Sequence, residues 1–263
     1  NDVNPSLTNE KVISYELGYG FRSSVFNANL NLYSTSWDDI YRRLTTRRKI
    51  NNVDVTGVAN VQGINEIHRG IELDFNVRPA KIVTINGMLS VGDWYFKGNP
   101  NAQFVEDQTN VIVDEGTLKL DGLKVGDAAQ FTAALGADFR LTDWLNFDAQ
   151  YRYADNLYSA FEPGDRLLKA TDPANKVLPE AVKLPSYGLL DLGAGARWNI
   201  NATQAFKFRV NVNNVLDKVY IAESRTNKPA DANEANNWKG INKANEVFFG
   251  FGRTWNASVT FNF

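Results

Sequence analysis

The chain has 263 residues, with 28 lysines and arginines against 30 aspartates and glutamates and no cysteine. The formal net charge of −2 gives no reason to expect a nucleic-acid partner. The lack of cysteine excludes disulfides, thiolate metal sites and cysteine nucleophiles. No apolar run approaches the ~20 residues that a transmembrane helix needs, so any crossing of a membrane would have to be made by strands.

Alternating apolar and polar residues predict nine long antiparallel strands, because a period of two gives a strand two unlike faces. Asparagines at alternate positions of the second strand suit a face in contact with water better than a buried one. The predicted strands cover approximately residues 12–21, 26–33, 64–77, 83–91, 130–140, 145–153, 190–198, 206–213 and 255–263.

Short and long connections alternate along the chain. The predicted tight turns are residues 22–25, 78–82, 141–144 and 199–205. The predicted long loops are residues 37–60, 96–127, 160–186 and 221–246. Long loops confined to one end are hard to reconcile with a soluble β-sandwich. They are typical of a transmembrane barrel with short periplasmic turns and long extracellular loops, so we predict an all-β, antiparallel transmembrane β-barrel segment whose C-terminus is periplasmic.

Aromatic residues lie near both ends of these strands. Two belts are expected where amphipathic rings meet lipid headgroups, whereas in a soluble β-sandwich the same residues would form a core. On the short-turn side the predicted belt is Phe21, Phe26, Phe75, Phe139, Trp144, Trp198, Phe206 and Phe263. On the long-loop side it is Trp37, Trp94, Tyr95, Tyr151, Tyr153, Tyr220 and Trp255.

Three motifs resemble those of TonB-dependent outer-membrane receptors. Residues 4–10 (NPSLTNE) with 14–19 (SYELGY) look like the family's NPxLxPE…SYELGY segment, with Asn9 in place of the usual proline. Residues 211–220 (NVNNVLDKVY) look like its NLFDKxY penultimate strand, although Val215 departs from the aromatic position. Residues 252–263 (GRTWNASVTFNF) look like its closing strand. The motifs follow the family's order and approximate spacing, so the resemblance spans essentially the whole chain.

The resemblance implies that residues 1–263 are the C-terminal part of a 22-stranded barrel, with the plug domain and upstream strands outside this chain. It implies active import of a scarce nutrient, most often an iron–siderophore complex, with cobalamin or oligosaccharide as alternatives. A passive porin-like or structural barrel would have no plug, and an outer-membrane enzyme would need a Ser/His or Asp/His group at the rim. We expect no enzymatic activity and no cofactor.

The resemblance also implies partners: the TonB complex acting through the plug, a small-molecule ligand, outer-membrane lipid and lipopolysaccharide, and the barrel-assembly machinery. That machinery would recognise the terminal aromatics Phe261 and Phe263. Basic and aromatic residues of the long loops are candidates for ligand binding, because they suit anionic chelates and stacking. These candidates are Arg42, Arg43, Arg47, Arg48, Trp94, Tyr95 and Trp238.

Charged residues at the polar positions of the strands carry both signs, which suits polar contact with a folded plug better than a selective ion pore. His68, the one histidine, is interpreted as an ordinary residue of this face. The predicted lumen and plug-facing residues are Glu72, Asp74, Asp138, Arg140, Asp148, Arg152, Asp191, Arg197 and Arg209.

Overall fold

The computed structural model describes residues 8–50, 53–168 and 177–263, except for the side chains of residues 46–50. The first strands are β1 (Lys11–Arg22), β2 (Phe26–Ile50), β3 (Val53–Ala80), β4 (Val83–Lys97), β5 (Asn101–Glu106), β6 (Ile112–Leu118), β7 (Phe131–Arg140) and β8 (Leu145–Asp155). The others are β9 (Leu167–Leu168), β10 (Tyr187–Asn199), β11 (Ala205–Asn213), β12 (Ile221–Ser224), β13 (Asn237–Trp238), β14 (Ile241–Asn242), β15 (Val247–Phe249) and β16 (Thr254–Asn262). A one-turn helix α1 (Pro163–Arg166) and a 3₁₀ turn (Glu234–Asn236) complete the described part.

Nine of these strands form an antiparallel meander in the order β1-β2-β3-β4-β7-β8-β10-β11-β16. They are the nine strands that the alternation predicts. Within the described residues, β1 and β16 each pair with a single neighbour, so the sheet does not close on itself. No helix of the described part is long and apolar enough to cross a membrane.

The register places apolar side chains on one face of the meander. One row across it runs Tyr19, Leu30, Leu73 and Leu89. No part of the described chain covers this face: Leu17 is 71% exposed and Val259 64%. The opposite face carries polar rows such as Asn31, Glu72, Ser90 and Thr132. Apolar side chains that are exposed along the whole sheet need an apolar solvent, which the acyl chains of a bilayer provide.

The prediction of a long irregular loop at residues 37–60 is wrong, because β2 and β3 continue as a hairpin with only residues 51–52 between them. The reason is that Ile40 and Ala59 of this segment pack in an apolar core together with Val61 and Ile64, which are fully buried. Above the last residue of β4, the extension of β3 pairs with β5 instead, and β5 pairs with β6. The predicted loop at 96–127 therefore also contains two strands, β5 and β6.

The buried cores of the described chain lie among the long connections. The first, which we call the hairpin core, consists of Ile40, Ala59, Val61, Ile64, Phe96, Ala102, Leu118, Leu120, Leu123 and Leu167. The second, which we call the loop core, consists of Leu157, Leu184, Ile221 and Ile241. The long connections thus pack as a soluble protein does, whereas the nine-stranded sheet below them does not. We call this the long-connection end of the sheet and the opposite end the short-turn end.

Candidate functional site

The nine charged residues predicted to face the lumen all lie on the polar face of the sheet. Most of their strand partners are polar residues or glycine, as in the row Thr84, Asp138 and Asp148. The exceptions are Met88 opposite Asp74, and Ala134 and Leu189 opposite Arg152. That they line a lumen and contact a plug remains a prediction.

Charges of opposite sign pair on this face, either between neighbouring strands or across an intervening one. Arg209 makes a two-pronged contact with Asp148, with Nη2 to Oδ1 at 2.8 Å and Nη1 to Oδ2 at 2.6 Å. The pair passes over Gly193, where an added Cβ would lie 2.2 Å from Arg209 Nη2. Arg152 contacts Asp191 at 2.7 Å, and the other oxygen of Asp191 accepts the backbone N–H of Asn214 at 2.8 Å. These contacts hold several charged side chains flat against the wall.

At the long-connection end, the polar face carries a group of side chains that we call the vestibule cluster: Tyr33, Arg42, Glu66, His68 and Trp94. Glu66 is its centre and is only 3% exposed. Its carboxylate accepts a hydrogen bond from Arg42 Nη2 at 3.0 Å and lies 3.1 Å from His68 Nε2. The His68 ring stacks on Trp94 at a centroid distance of 5.3 Å, and Trp94 Nε1 donates to the Tyr33 hydroxyl at 2.8 Å.

Two glycines allow the aromatic rings to lie against the sheet. Tyr33, Gly70 and Gly92 form one row across β2, β3 and β4. A Cβ at Gly70 would lie 2.6 Å from the Tyr33 hydroxyl, and one at Gly92 would lie 2.6 Å from Trp94 Nε1. Glycine inside a strand often marks such a close approach, and here it makes room for both rings.

A bulge in β2 delivers Arg42 to the cluster. The register between β2 and β3 shifts between Trp37 and Arg42. Asp39 within the bulge has a φ of 62°, and its N–H donates to the Asn65 side chain at 2.9 Å. Bulges commonly re-aim side chains in this way. Arg42 also lies in the field of Asp127, whose pKa is raised by desolvation and by the nearby Glu223, while Arg42 opposes that rise.

The structure separates the predicted ligand residues. Arg42 and Trp94 meet in the vestibule cluster, whereas Arg43 is exposed on the hairpin extension. Tyr95 lies on the apolar face beneath the Arg69 guanidinium, 5.5 Å from its ring centroid. The side chains of Arg47 and Arg48 are outside the described residues.

Trp238 has an evident packing role. It packs half-buried against the loop core, and its ring meets the edge of Phe249 at 5.3 Å. Lys239 Nζ lies 4.5 Å from the Trp238 ring centroid. These contacts account for Trp238 by packing, without stacking on a ligand.

The prediction that Trp37 and Trp94 belong to a lipid-facing aromatic belt is wrong. Trp94 shares a row with His68 on the polar face, and Trp37 shares one with Glu66. Trp37 Nε1 donates to Glu10 at 3.1 Å. The belt assignment considered how high each residue lies on its strand but not which face it occupies. The cluster was missed for the same reason, although glycines inside β3 and β4 were a signal for it.

The terminal aromatics lie at the short-turn end of the sheet. Phe261 pairs with Phe206 of β11, their ring centroids 4.9 Å apart. Phe263 follows β16 and is 93% exposed. Within the described residues, no group of three or more His, Asp or Glu side chains could hold a metal ion.

The described residues form an antiparallel meander with one exposed apolar face, one polar face with paired charges, and buried cores among its long connections. This arrangement is that of a segment of a transmembrane β-barrel. Residues 1–215 match the family model described as TonB dependent receptor-like, beta-barrel. The chain therefore belongs to this family of TonB-dependent receptors. No curated protein matches the sequence significantly.

Three solved structures of similar fold come from chains much longer than this one. The copper transporter OprC has a TM-score of 0.59 at 17% identity, over 98% of this chain and 32% of its own. The ferric-catecholate import receptor Fiu from K12 E. coli has a TM-score of 0.54 at 15% identity, over 96% of this chain and 27% of its own. The siderophore receptor PiuA from Acinetobacter baumannii has a TM-score of 0.55 at 15% identity, over 96% of this chain and 28% of its own. This chain thus spans about a third or less of each.

Proposed function

We propose that residues 1–263 form the C-terminal wall of a 22-stranded TonB-dependent importer in the bacterial outer membrane, with the plug domain and remaining strands outside this chain. Family membership and the nine-stranded meander support this proposal. The observation that carries it is the vestibule cluster, because it places an arginine and two aromatic rings on the polar face where a ligand would enter. The short turns lie on the periplasmic side in this proposal, and the C-terminus lies with them.

The ligand that best suits the vestibule cluster is an anionic, partly aromatic iron chelate. The Arg42 guanidinium can attract an anion, because its side chain remains 41% exposed while Glu66 orients it. Trp94 and Tyr33 offer π faces beside it, which suit flat organic groups. Fiu and PiuA, which share the fold, are described as a ferric-catecholate import receptor and a siderophore receptor. Cobalamin and oligosaccharides are alternative ligands, and a porin-like or structural barrel is the alternative function.

The proposed partners follow from this assignment. The TonB complex would act through the plug, and the barrel-assembly machinery would recognise Phe261 and Phe263. Lipid and lipopolysaccharide would contact the apolar face. The import function involves no catalysis by this chain.

The proposal is tested by uptake of iron-loaded siderophores into cells that express the full-length protein containing this chain. We expect uptake to require TonB and to fall at least severalfold in Trp94→Ala, which removes the stacking surface and the hydrogen bond to Tyr33. Tyr95→Ala is the matched control, because Tyr95 is the next residue and lies on the opposite face. Heat-modifiable mobility on gels verifies that both variants fold.

Three results would count against the proposal. Equal uptake with and without TonB would indicate a passive barrel. Loss of uptake in Tyr95→Ala but not in Trp94→Ala would place the ligand on the wrong face. Uptake of cobalamin or an oligosaccharide, with no uptake of any ferric siderophore, would refute the proposed ligand but not the proposed import function.

A further inference from the structure

His68 is the one histidine of the chain, and it lies in the vestibule cluster beside a buried carboxylate. Its Nε2 is 3.1 Å from Glu66 Oε2, and the other oxygen of Glu66 accepts the hydrogen bond from Arg42. The Glu66 side chain is only 4% exposed, whereas 29% of the His68 side chain remains exposed. His68 is therefore the partner of Glu66 that can exchange protons with solvent at ordinary pH, because arginine stays protonated.

The contact with Glu66 determines which ring nitrogen of His68 carries the proton in the neutral form. A carboxylate can only accept a hydrogen bond, so Nε2 is the donor and Nδ1 keeps its lone pair. Within the described residues, Nδ1 has no hydrogen-bond partner. A second proton therefore adds at Nδ1 and leaves the bond from Nε2 to Glu66 in place. His68 can change its charge without any rearrangement of the cluster.

The stack with Trp94 accommodates the charged form of the ring as well as the neutral one. The two rings lie 5.3 Å apart between centroids, with 19° between their planes. The face of an indole ring attracts a cation, so protonation strengthens this stack. Trp94 is held in turn by its hydrogen bond to Tyr33. The protonated ring thus stays between Glu66 and Trp94, on the surface where the proposed ligand would bind.

Protonation of His68 gives the vestibule cluster a net positive charge. Arg42 and Glu66 cancel each other, and the added charge has no further carboxylate within the cluster. Among ordinary side chains, histidine is the one whose charge changes between about pH 5 and 8. The other charged groups around the cluster are Glu10, Glu16, Glu72, Asp127 and Glu223.

One of these carboxylates could compete with His68 for control of the charge near Arg42. Desolvation raises the pKa of Asp127, and the nearby Glu223 raises it further, while Arg42 opposes the rise. Ionisation of Asp127 on going to higher pH would weaken the binding of an anion, in the same direction as deprotonation of His68. The two groups therefore have to be separated by substitution.

We infer that His68 makes the capture of an anionic ligand depend on pH, with the protonated form binding the anion more tightly than the neutral form. The inference rests on the proposed function, because it concerns the ligand assigned to the vestibule cluster. An iron(III) ion bound by three catecholates carries three negative charges. At about 8 Å and the dielectric constant of water, one added positive charge changes the affinity for such an anion roughly tenfold.

The test compares the wild-type full-length protein with His68→Gln, whose amide can still donate to Glu66 but does not take up a proton. Equilibrium binding of a ferric catecholate is measured in low-salt buffer at about pH 6 and about pH 8, within the range in which histidine titrates. The chelate itself takes up protons, so the quantity compared is the quotient of the wild-type and variant affinities, in which that titration cancels. We expect this quotient to be roughly tenfold larger at the lower pH.

Asp127→Asn is the matched variant, because it removes the other group whose titration changes the charge near Arg42. The pH dependence should persist in Asp127→Asn and be lost in His68→Gln. A quotient of wild-type and His68→Gln affinities that does not change with pH overturns the inference. So does a pH dependence that Asp127→Asn removes and His68→Gln retains.

A second measurement needs no ligand. Protonated imidazole quenches the fluorescence of a stacked indole, so the emission of the ligand-free protein should fall on acidification by an amount that is absent from His68→Gln and from Trp94→Phe. If all three proteins respond to pH alike, the stacked ring does not take up a proton and the inference is wrong.

Uptake of the same chelate is measured in cells with and without TonB, so that failure of the inference differs from failure of the proposed function. Uptake that requires TonB, together with a quotient independent of pH, refutes the role of His68 alone. Uptake that is equal with and without TonB, or no binding of the chelate at either pH, refutes the proposed function or its ligand and this inference with it.

Discussion

A charge placed on the apolar face of the sheet should destabilise the protein by an amount that depends on its depth in the bilayer. Leu135 is the fifth residue of β7 and is 56% exposed. It lies four residues from one end of the strand and five from the other, about 13 and 17 Å along it at ~3.3 Å per residue. With a strand tilt of ~45°, these lengths correspond to about 9 and 12 Å along the membrane normal, which puts Leu135 near the midplane.

For Leu135→Arg at that depth, we expect a loss of ~2–4 kcal/mol in the free energy of unfolding. This corresponds to a change of about 30- to 1,000-fold in the folding equilibrium. The measurement is a guanidinium titration of the full-length protein in phospholipid vesicles, followed by tryptophan fluorescence. Gln150→Arg is the control: Gln150 pairs with Gly136, the neighbour of Leu135, but lies on the polar face opposite Asp191.

Gln150→Arg should change the free energy of unfolding by less than ~1 kcal/mol, because the new charge stays in contact with water and with a carboxylate. If both variants lose the same stability, or if Leu135→Arg loses none, then the exposed apolar face does not contact lipid. The assignment of the sheet as a barrel wall would then be refuted.

Three further substitutions test the long-connection end. Ile64→Ala removes a fully buried side chain from the hairpin core and should cost ~2–5 kcal/mol, seen as faster amide exchange in β5 with no change in β11. Glu66→Gln keeps the shape but removes the charge that orients Arg42, so thermal unfolding should show a loss of about 1–3 kcal/mol. Asp127→Asn should stabilise the protein at pH 7, because the raised pKa of Asp127 means that folding favours its neutral form. The raised pKa of Asp127 stabilises the folded state fully when the pH is below the ordinary value of ~3.9, and this stabilisation is lost as the pH rises. The advantage of asparagine over aspartate should therefore vanish below about pH 4 when the free energy of unfolding is measured against pH.

The sequence was sufficient to predict the sheet because the bilayer imposes a simple rule on it. Each strand must turn one face to lipid and one to water, so a period of two is retained from Ile13 to Phe261. The assignment of faces follows from that period, and the short turns place consecutive strands side by side. The alternation predicts that Asp138 and Asp148 share a face, and the register places them in direct opposition.

The long connections obey no such rule, and the predictions there were less successful. The hairpin extension and its partner β5 depend on contacts such as Val61 with Ala102, which no local pattern reveals. The vestibule cluster depends on a bulge at Asp39, which changes the register and so cannot be read from the alternation alone. The sequence features that indicated the vestibule cluster were Gly70 and Gly92. Glycine weakens a strand, so its presence there indicates that a neighbouring ring needs the space.

The same kind of side chain is stabilised differently at the two ends of this molecule. Leu135 contacts few protein atoms, and its burial is supplied by acyl chains, whereas Ile64 is buried by protein alone. Shortening Ile64 therefore leaves a cavity, but shortening Leu135 lets lipid fill the space. We expect Leu135→Ala to lower the free energy of unfolding less than Ile64→Ala does, although both substitutions remove the same number of aliphatic carbons. Equal losses of unfolding free energy in vesicles would mean that the apolar face packs against protein. The distinction between a sheet solvated by lipid and long connections that bury their own core would then not hold.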